Sequence, residues 1–184
     1  AATEWTPGKL ARRFGSSIVR LKGGGGSVPL AEFLGYMHRG SDWDASPRYV
    51  FEPVAWPELA REYDATVSGV FPHDFFRLLG GKARPAYRWF LVGPRRSGSQ
   101  AHVDPDGTSA WNALLSGRKY WVLLDPAALE QGAVSEEDLK PGARSLAEWF
   151  REGLPALRRK CRPEHLWEHL QERGDVMYVP AGVW

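Results

Sequence analysis

Residues 100–125, QAHVDPDGTSAWNALLSGRKYWVLLD, decide how the chain is read. His102 and Asp104 stand two apart, Asn112 follows, and Lys119 heads an apolar run. Side chains two apart on a β-strand share a face, so an imidazole and a carboxylate can be aimed into one cavity. A second histidine from elsewhere would complete a 2-His-1-carboxylate set suited to non-haem Fe(II). The pair alone is a weak signal, because a His and an Asp at a strand end are often only salt-bridged or solvated. Lys119 sharpens it. An ammonium at the head of an apolar strand is costly to bury unless paired, and no acidic residue adjoins it in sequence. A bound dicarboxylate would supply the partner; otherwise the stem packs and the head reaches water. Asn112 can orient a carboxylate or a water, or can be a satisfied core amide.

Working outward, Asp104-Pro105-Asp106-Gly107 has turn chemistry, with Pro fixing φ and Gly free to take a positive φ. Residues 99–104, 108–115 and 119–124 read as strands, the last two closing a hairpin at Ser116-Gly117. Before them, 87–92 reads as a buried strand and 93–98 as a loop. Residues 17–22 and 48–52 read as strands, and Gly23 to Ser27 as a flexible linker or hairpin loop. Pro29 opens a predicted helix with Leu30, Phe33, Leu34 and Met37 at helical spacing and Gly40 beyond its end. Residues 1–15 show no clear period, and the segment carrying Pro53, Pro57 and Pro72 reads as irregular. Residues 73–79 suggest one or two helical turns. Further on, a short helix is expected around 136–139, and Ser145 with Glu148 forms a capping box. Pro163 is expected to open a helix through Glu172, and 175–179 to form a strand. Short strands with turn signals, plus segregated helices, predict a mainly β fold with added helices.

Bulk properties bound the function. The 184 residues suffice for one domain with a core, and nine Trp suit rigid pocket walls. A net charge of +2 does not demand nucleic acid. Cys161 is the only cysteine, so no disulfide or Cys-based zinc site forms within the chain, a reducing compartment fits, and Cys161 reads as structural. No apolar run is long enough to span a membrane, and none of these residues is expected to form a signal peptide. His165-Leu166-Trp167-Glu168-His169 spells the inverted zinc-protease pattern, but an amphipathic helix with Leu166 and Leu170 packed inward is the better reading. His38 and His73 read as helix-end residues, and Arg158-Arg159-Lys160 as a solvated face. Arg95-Arg96, beside the His-x-Asp segment, can be a solvated face or help gather an acidic or nucleic-acid substrate, though the overall charge does not support nucleic acid. The chain starts at Ala1 and stops at Trp184 after an apolar strand, which suggests a piece of something longer.

The phrases YRWFLVGPRRSGSQAHVDPDGTSAWNALLSGRKYWVLL and GDVMYVPAGVW, with Tyr36-Met37 and the segment SPRYVF, resemble the jumonji-C family of Fe(II)- and 2-oxoglutarate-dependent oxygenases. Within it they are similar to the branch of bifunctional arginine demethylases and lysyl hydroxylases. The resemblance implies a double-stranded β-helix, a cupin-like jelly roll, here incomplete at its C-terminal edge. Residues 1–84 would form a supporting region and 85–184 the barrel core, with a helical insertion at about 126–173. His102 and Asp104 would be iron ligands, the third, a His, falling just after VPAGVW and so beyond Trp184. Lys119 would bind the far carboxylate of 2-oxoglutarate, with Asn112, Tyr49 and Ser99 as further contacts; Trp111 and Trp121 would be wall and core. With Fe(II), 2-oxoglutarate and O2, such a protein hydroxylates protein side chains, acting as a lysyl hydroxylase or an N-methyl-arginine demethylase. Its partners would be a histone tail or another basic, RNA-processing protein, in the nucleus and without a membrane. The rival expectations are a non-catalytic fragment and a cupin-type binding module that holds metal without 2-oxoglutarate.

Overall fold

A computed structural model describes residues 5–22, 24–54, 56–67, 69–140, 142 and 145–184. The first half is built on one antiparallel sheet of order β2-β1-β3-β4. β1 (Ile18–Lys22) alternates exposed and buried residues and turns Val19 and Leu21 inward. It pairs with β2 (Ser27–Pro29) across the glycine loop and with β3 (Tyr49–Pro53) on its other side. β4 (Trp89–Val92) closes the order against β3. It was expected to be buried; only Phe90 is, while Trp89 and Leu91 face outward on an edge strand.

Helices cover the inner face of this sheet. α1 (Pro7–Phe14) forms where no period was legible. It is only two turns long, started by the Thr6 cap and Pro7 and held by Leu10 and Phe14, one turn apart in the core. α2 (Leu30–Arg39) follows the predicted pattern and buries Leu30, Phe33 and Leu34. α3 (Pro57–Val67) lies in the stretch expected to be irregular. Pro57 is its first residue, a position where proline starts a helix rather than breaking one.

The second half is a bent ribbon. β5 (Ala110–Ala113) pairs with β8 (Val176–Val179), and β6 (Arg118–Leu124) pairs with β7 (Leu166–Glu172). The expected hairpin at Ser116-Gly117 is therefore absent: β5 and β6 each pair with a strand far along the chain, Ala110 with Val179 and Arg118 with Glu172. The two ladders meet at a corner where Leu114 N–H donates to the Asp175 carbonyl at 3.0 Å and Gly174 N–H to the Leu114 carbonyl at 2.8 Å. Residues 114–117 face residues 173–175, so one strand carries an extra residue and the ribbon bends there. Gly117 and Gly174 turn the chain at this corner with φ of 81° and 100°.

β7 occupies the place of the expected helix after Pro163, of which only a 3-10 turn at Pro163–His165 forms. Leu166 and Leu170 fall on one face in either a helix or a strand, so their spacing could not separate the two. Pairing with β6 decides it. The face carrying Tyr120, Val122 and Leu124 packs on the helices between β6 and β7: α4 (Ala127–Glu130), α5 (Glu136–Leu139), α6 (Leu146–Glu148) and α7 (Leu154–Lys160). α6 and α7 are joined by a π-helical turn, Trp149–Gly153. Pro155 lies just beyond it, and the wider turn accommodates a ring that would clash with an ordinary α-helical carbonyl.

Helices make up 37% of the described residues and strands 22%, so the structure is mixed α and β rather than mainly β. Among the described residues the strands lie in one four-stranded sheet and two linked two-stranded ladders.

Candidate functional site

Residues 99–104 do not form the expected strand. Among the described residues they make no backbone–backbone hydrogen bond and pair with no strand. The segment is anchored by side chains instead. Ala101 packs on the cluster that includes Leu124, Leu154 and Leu157, and the Ser99 hydroxyl lies 3.4 Å from the Tyr49 hydroxyl at the start of β3. Gly93 permits this approach, since a Cβ there would collide with Ser97 and press on Tyr49 at 3.1 Å.

His102 and Asp104 nevertheless converge, with Nε2 and Oδ1 3.6 Å apart. The Nδ1 of His102 lies 2.8 Å from the Gln100 carbonyl. A carbonyl oxygen can only accept, so Nδ1 carries the proton and donates. That tautomer leaves Nε2 with a lone pair, directed at a carboxylate oxygen. With its ring neutral, His102 could share one metal ion with Asp104 as a neighbouring ligand; with both ring nitrogens protonated, the same contact is an ion pair. Both side chains are solvent-accessible, at 60% and 36% exposure, which leaves room for an ion and its other ligands. No group of three or more His, Cys, Asp or Glu forms a metal site among the described residues.

Lys119 lies in the opposite environment. It opens β6, and burial pushes its ammonium down to about 8. No carboxylate pairs with it among the described residues. Its Nζ sits over the Trp121 ring, 3.9 Å from the centroid. The described partner of this ammonium is thus a ring face and not a carboxylate. Asn112 stands seven residues earlier, a spacing that would place it on the opposite face of one straight strand. The corner between the ladders brings the backbone of Asn112 to Gln171, the residue opposite Lys119. Gln171 is the cross-strand partner of Lys119, and its Nε2 donates to the Asn112 carbonyl at 2.8 Å. Sequence reasoning missed Gln171. Its signal, a buried amide at an inward position, becomes visible only once β7 is read as a strand.

The remaining residues sort themselves. Trp111 stacks on Tyr63 and Phe71, with ring centroids 5.9 and 5.3 Å away. The Arg96 guanidinium donates to the Ser41 and Asp42 carbonyls, so it clamps its loop to the end of α2 rather than gathering substrate. Arg158 makes two hydrogen bonds to Glu168, whose carboxyl it holds below the usual range. His165 sits in the 3-10 turn before β7 with its ring 3.7 Å from the Asp125 carboxylate, while His169 is exposed on β7; they share no helix face, which removes the zinc-protease geometry. Cys161 is buried, and burial raises its thiol.

No family model matches the chain. Curated relatives do. It is 35% identical over 195 residues to lysine-specific demethylase JMJ21 of Arabidopsis thaliana, covering all of this chain and 20% of that protein. It is 32% identical over 196 residues to the bifunctional arginine demethylase and lysyl-hydroxylase psr-1 of Caenorhabditis elegans, covering all of this chain and 48% of that protein. Over 105 residues, 52% of this chain and 22% of the relative, it is 30% identical to the 2-oxoglutarate and iron-dependent oxygenase JMJD4 of Danio rerio. The chain thus spans half or less of the length of these relatives. Along its whole length, the chain is a relative of the jumonji-C demethylases and hydroxylases.

Proposed function

We propose that the chain forms the iron- and 2-oxoglutarate-binding part of an oxygenase that hydroxylates protein side chains. Hydroxylation of a lysine yields hydroxylysine; hydroxylation of an N-methyl group on arginine yields an unstable product that loses formaldehyde. The observation that carries the reading is Lys119, a half-buried ammonium with no carboxylate partner among the described residues, in the ribbon that also holds Asn112.

Each residue has a physical task. His102, fixed as the Nδ1–H tautomer by the Gln100 carbonyl, offers Nε2 to iron, and Asp104 offers a carboxylate oxygen beside it. Bound iron would supply oxygen activation coupled to the oxidation of 2-oxoglutarate. Lys119 receives the far carboxylate of the cosubstrate, where a charge-assisted hydrogen bond forms in a desolvated setting. Asn112, Tyr49 and Ser99 are the further contacts, with the Tyr49 and Ser99 hydroxyls already adjacent. The ribbon and the four-stranded sheet are read as parts of a double-stranded β-helix, with residues 1–84 as its support and 85–184 as its core. The expected substrate is a basic protein such as a histone tail, and the expected location is the nucleus. No helix among the described residues is long and apolar enough to cross a membrane.

The test is succinate formation from 2-oxoglutarate in the presence of Fe(II) and O2. Turnover should require both His102 and Lys119. Equal turnover after His102→Ala would overturn the iron assignment, and metal binding indifferent to 2-oxoglutarate would indicate a cupin-type binding module.

A further inference from the structure

Gln171 is a fully buried polar side chain in a strand whose other inward positions carry no amide. Each of its polar atoms is used. Its Oε1 accepts from Trp121 Nε1–H at 2.8 Å, and its Nε2 donates to the carbonyls of Asn112 at 2.8 Å and Asp175 at 3.0 Å. One amide therefore ties β6 to β5 and to the chain entering β8, across the corner where the ladders change register. A buried apolar residue of similar size would fill the space but would leave an indole N–H and two carbonyls without this partner. The geometry also has a direction. Lys119 pairs with Gln171 across the ladder, and its ammonium lies over the indole that Gln171 orients.

We propose that Gln171 is a positioning residue for the anion site at Lys119: it fixes the plane of the Trp121 indole, and the indole face holds the ammonium where a carboxylate can reach it. The inference rests on Lys119 being the carboxylate-binding cation. A one-point anchor would leave the indole free to turn about its side-chain torsions; the Oε1 acceptor removes that freedom, and the two bonds from Nε2 hold the acceptor itself in place. Lys119 has a long, flexible stem, so a fixed ring beneath its head reduces the ordering left to be done when an anion arrives.

The experiment is a double-mutant cycle read by calorimetric titration of 2-oxoglutarate into the Mn(II)-loaded protein, with Gln171→Met, Trp121→Phe, the double variant and Lys119→Met. Trp121→Phe keeps an aromatic ring but removes the N–H that Gln171 accepts. Gln171→Met and Trp121→Phe should each weaken binding about tenfold, and the double variant should be no weaker than either alone. The melting temperature should fall on Gln171→Met in both backgrounds, because the bonds to Asn112 and Asp175 are lost in each. A purely structural Gln171 would lower the melting temperature and leave the dissociation constant unchanged, which would overturn the proposal. Losses that multiply in the double variant would overturn the route through Trp121. Undiminished binding in Lys119→Met would overturn the anion assignment beneath it, and the proposal with it. Lost binding in Lys119→Met with unchanged binding in Gln171→Met would overturn the proposal alone.

Discussion

The two ends of the candidate site are built differently. His102 and Asp104 sit on an extended segment without strand partners, exposed and held by one backbone acceptor and a few side-chain contacts. Lys119 sits inside a paired ribbon, with its neighbours fixed by register and by one buried amide. The first end leaves coordination space open around its donors. The second needs a dry, preformed pocket, because a single ammonium gains most from an anion where water is excluded. A site that joins a metal to a dicarboxylate needs one end of each kind.

Lys119→Met should break this contrast most strongly. It should weaken 2-oxoglutarate binding by about 100-fold, the scale of a lost charge-assisted hydrogen bond in a buried setting, as measured by calorimetric titration. The same substitution should stabilise the unliganded protein at neutral pH. Burial lowers the Lys119 ammonium from 10.5 to about 8. Between these values the unfolded chain binds more protons than the folded one, so stability rises with pH across that window. Below about 8 the full penalty is present, up to about 3 kcal/mol. Urea midpoints of the wild type and Lys119→Met should therefore differ at pH 7 and converge by about pH 10.5; parallel curves would show that the ammonium is not desolvated.

At the other end, His102→Ala should reduce affinity for a divalent ion by at least about tenfold while moving stability by less than about 0.5 kcal/mol, as for an exposed side chain. Equilibrium metal binding and thermal melts on the same samples check both halves. A large loss of stability would mean that the segment is part of the core. The smallest effect belongs to the Tyr49 and Ser99 hydroxyls, 3.4 Å apart and exposed. Ser99→Ala should weaken 2-oxoglutarate binding by only about two- to fivefold, corresponding to roughly 0.5–1 kcal/mol. No change at all would remove Ser99 from the site.

Different parts of this arrangement were legible for different reasons. β1, α2 and β3 could be read because their signals are local: alternation, a 3.6-residue period, Pro29 before the helix and Gly40 after it. The segments of β5 and β6 were also visible, but not their partners. Adjacency and a tight turn point to a hairpin, whereas the chain pairs β5 with β8 and β6 with β7 through long-range contacts. β7 itself was hidden because Leu166 and Leu170 satisfy two periods at once. His102 and Asp104 were expected to converge because a strand would align them; they do converge, but on an unpaired segment. The isolation of Lys119 was legible as a cation without an acidic neighbour. Gln171 was not, because its importance lies in three partners from three other parts of the chain.

The central claim is that Lys119 and the His102–Asp104 pair are two ends of one site. A crystal structure of the protein with 2-oxoglutarate and Mn(II) tests it most directly. The ion should be bound by His102 Nε2 and Asp104, and the far carboxylate should lie within about 2.7–2.9 Å of Lys119 Nζ, the span of a charge-assisted hydrogen bond. A cosubstrate bound elsewhere, with the Lys119 ammonium still resting on Trp121, would contradict it.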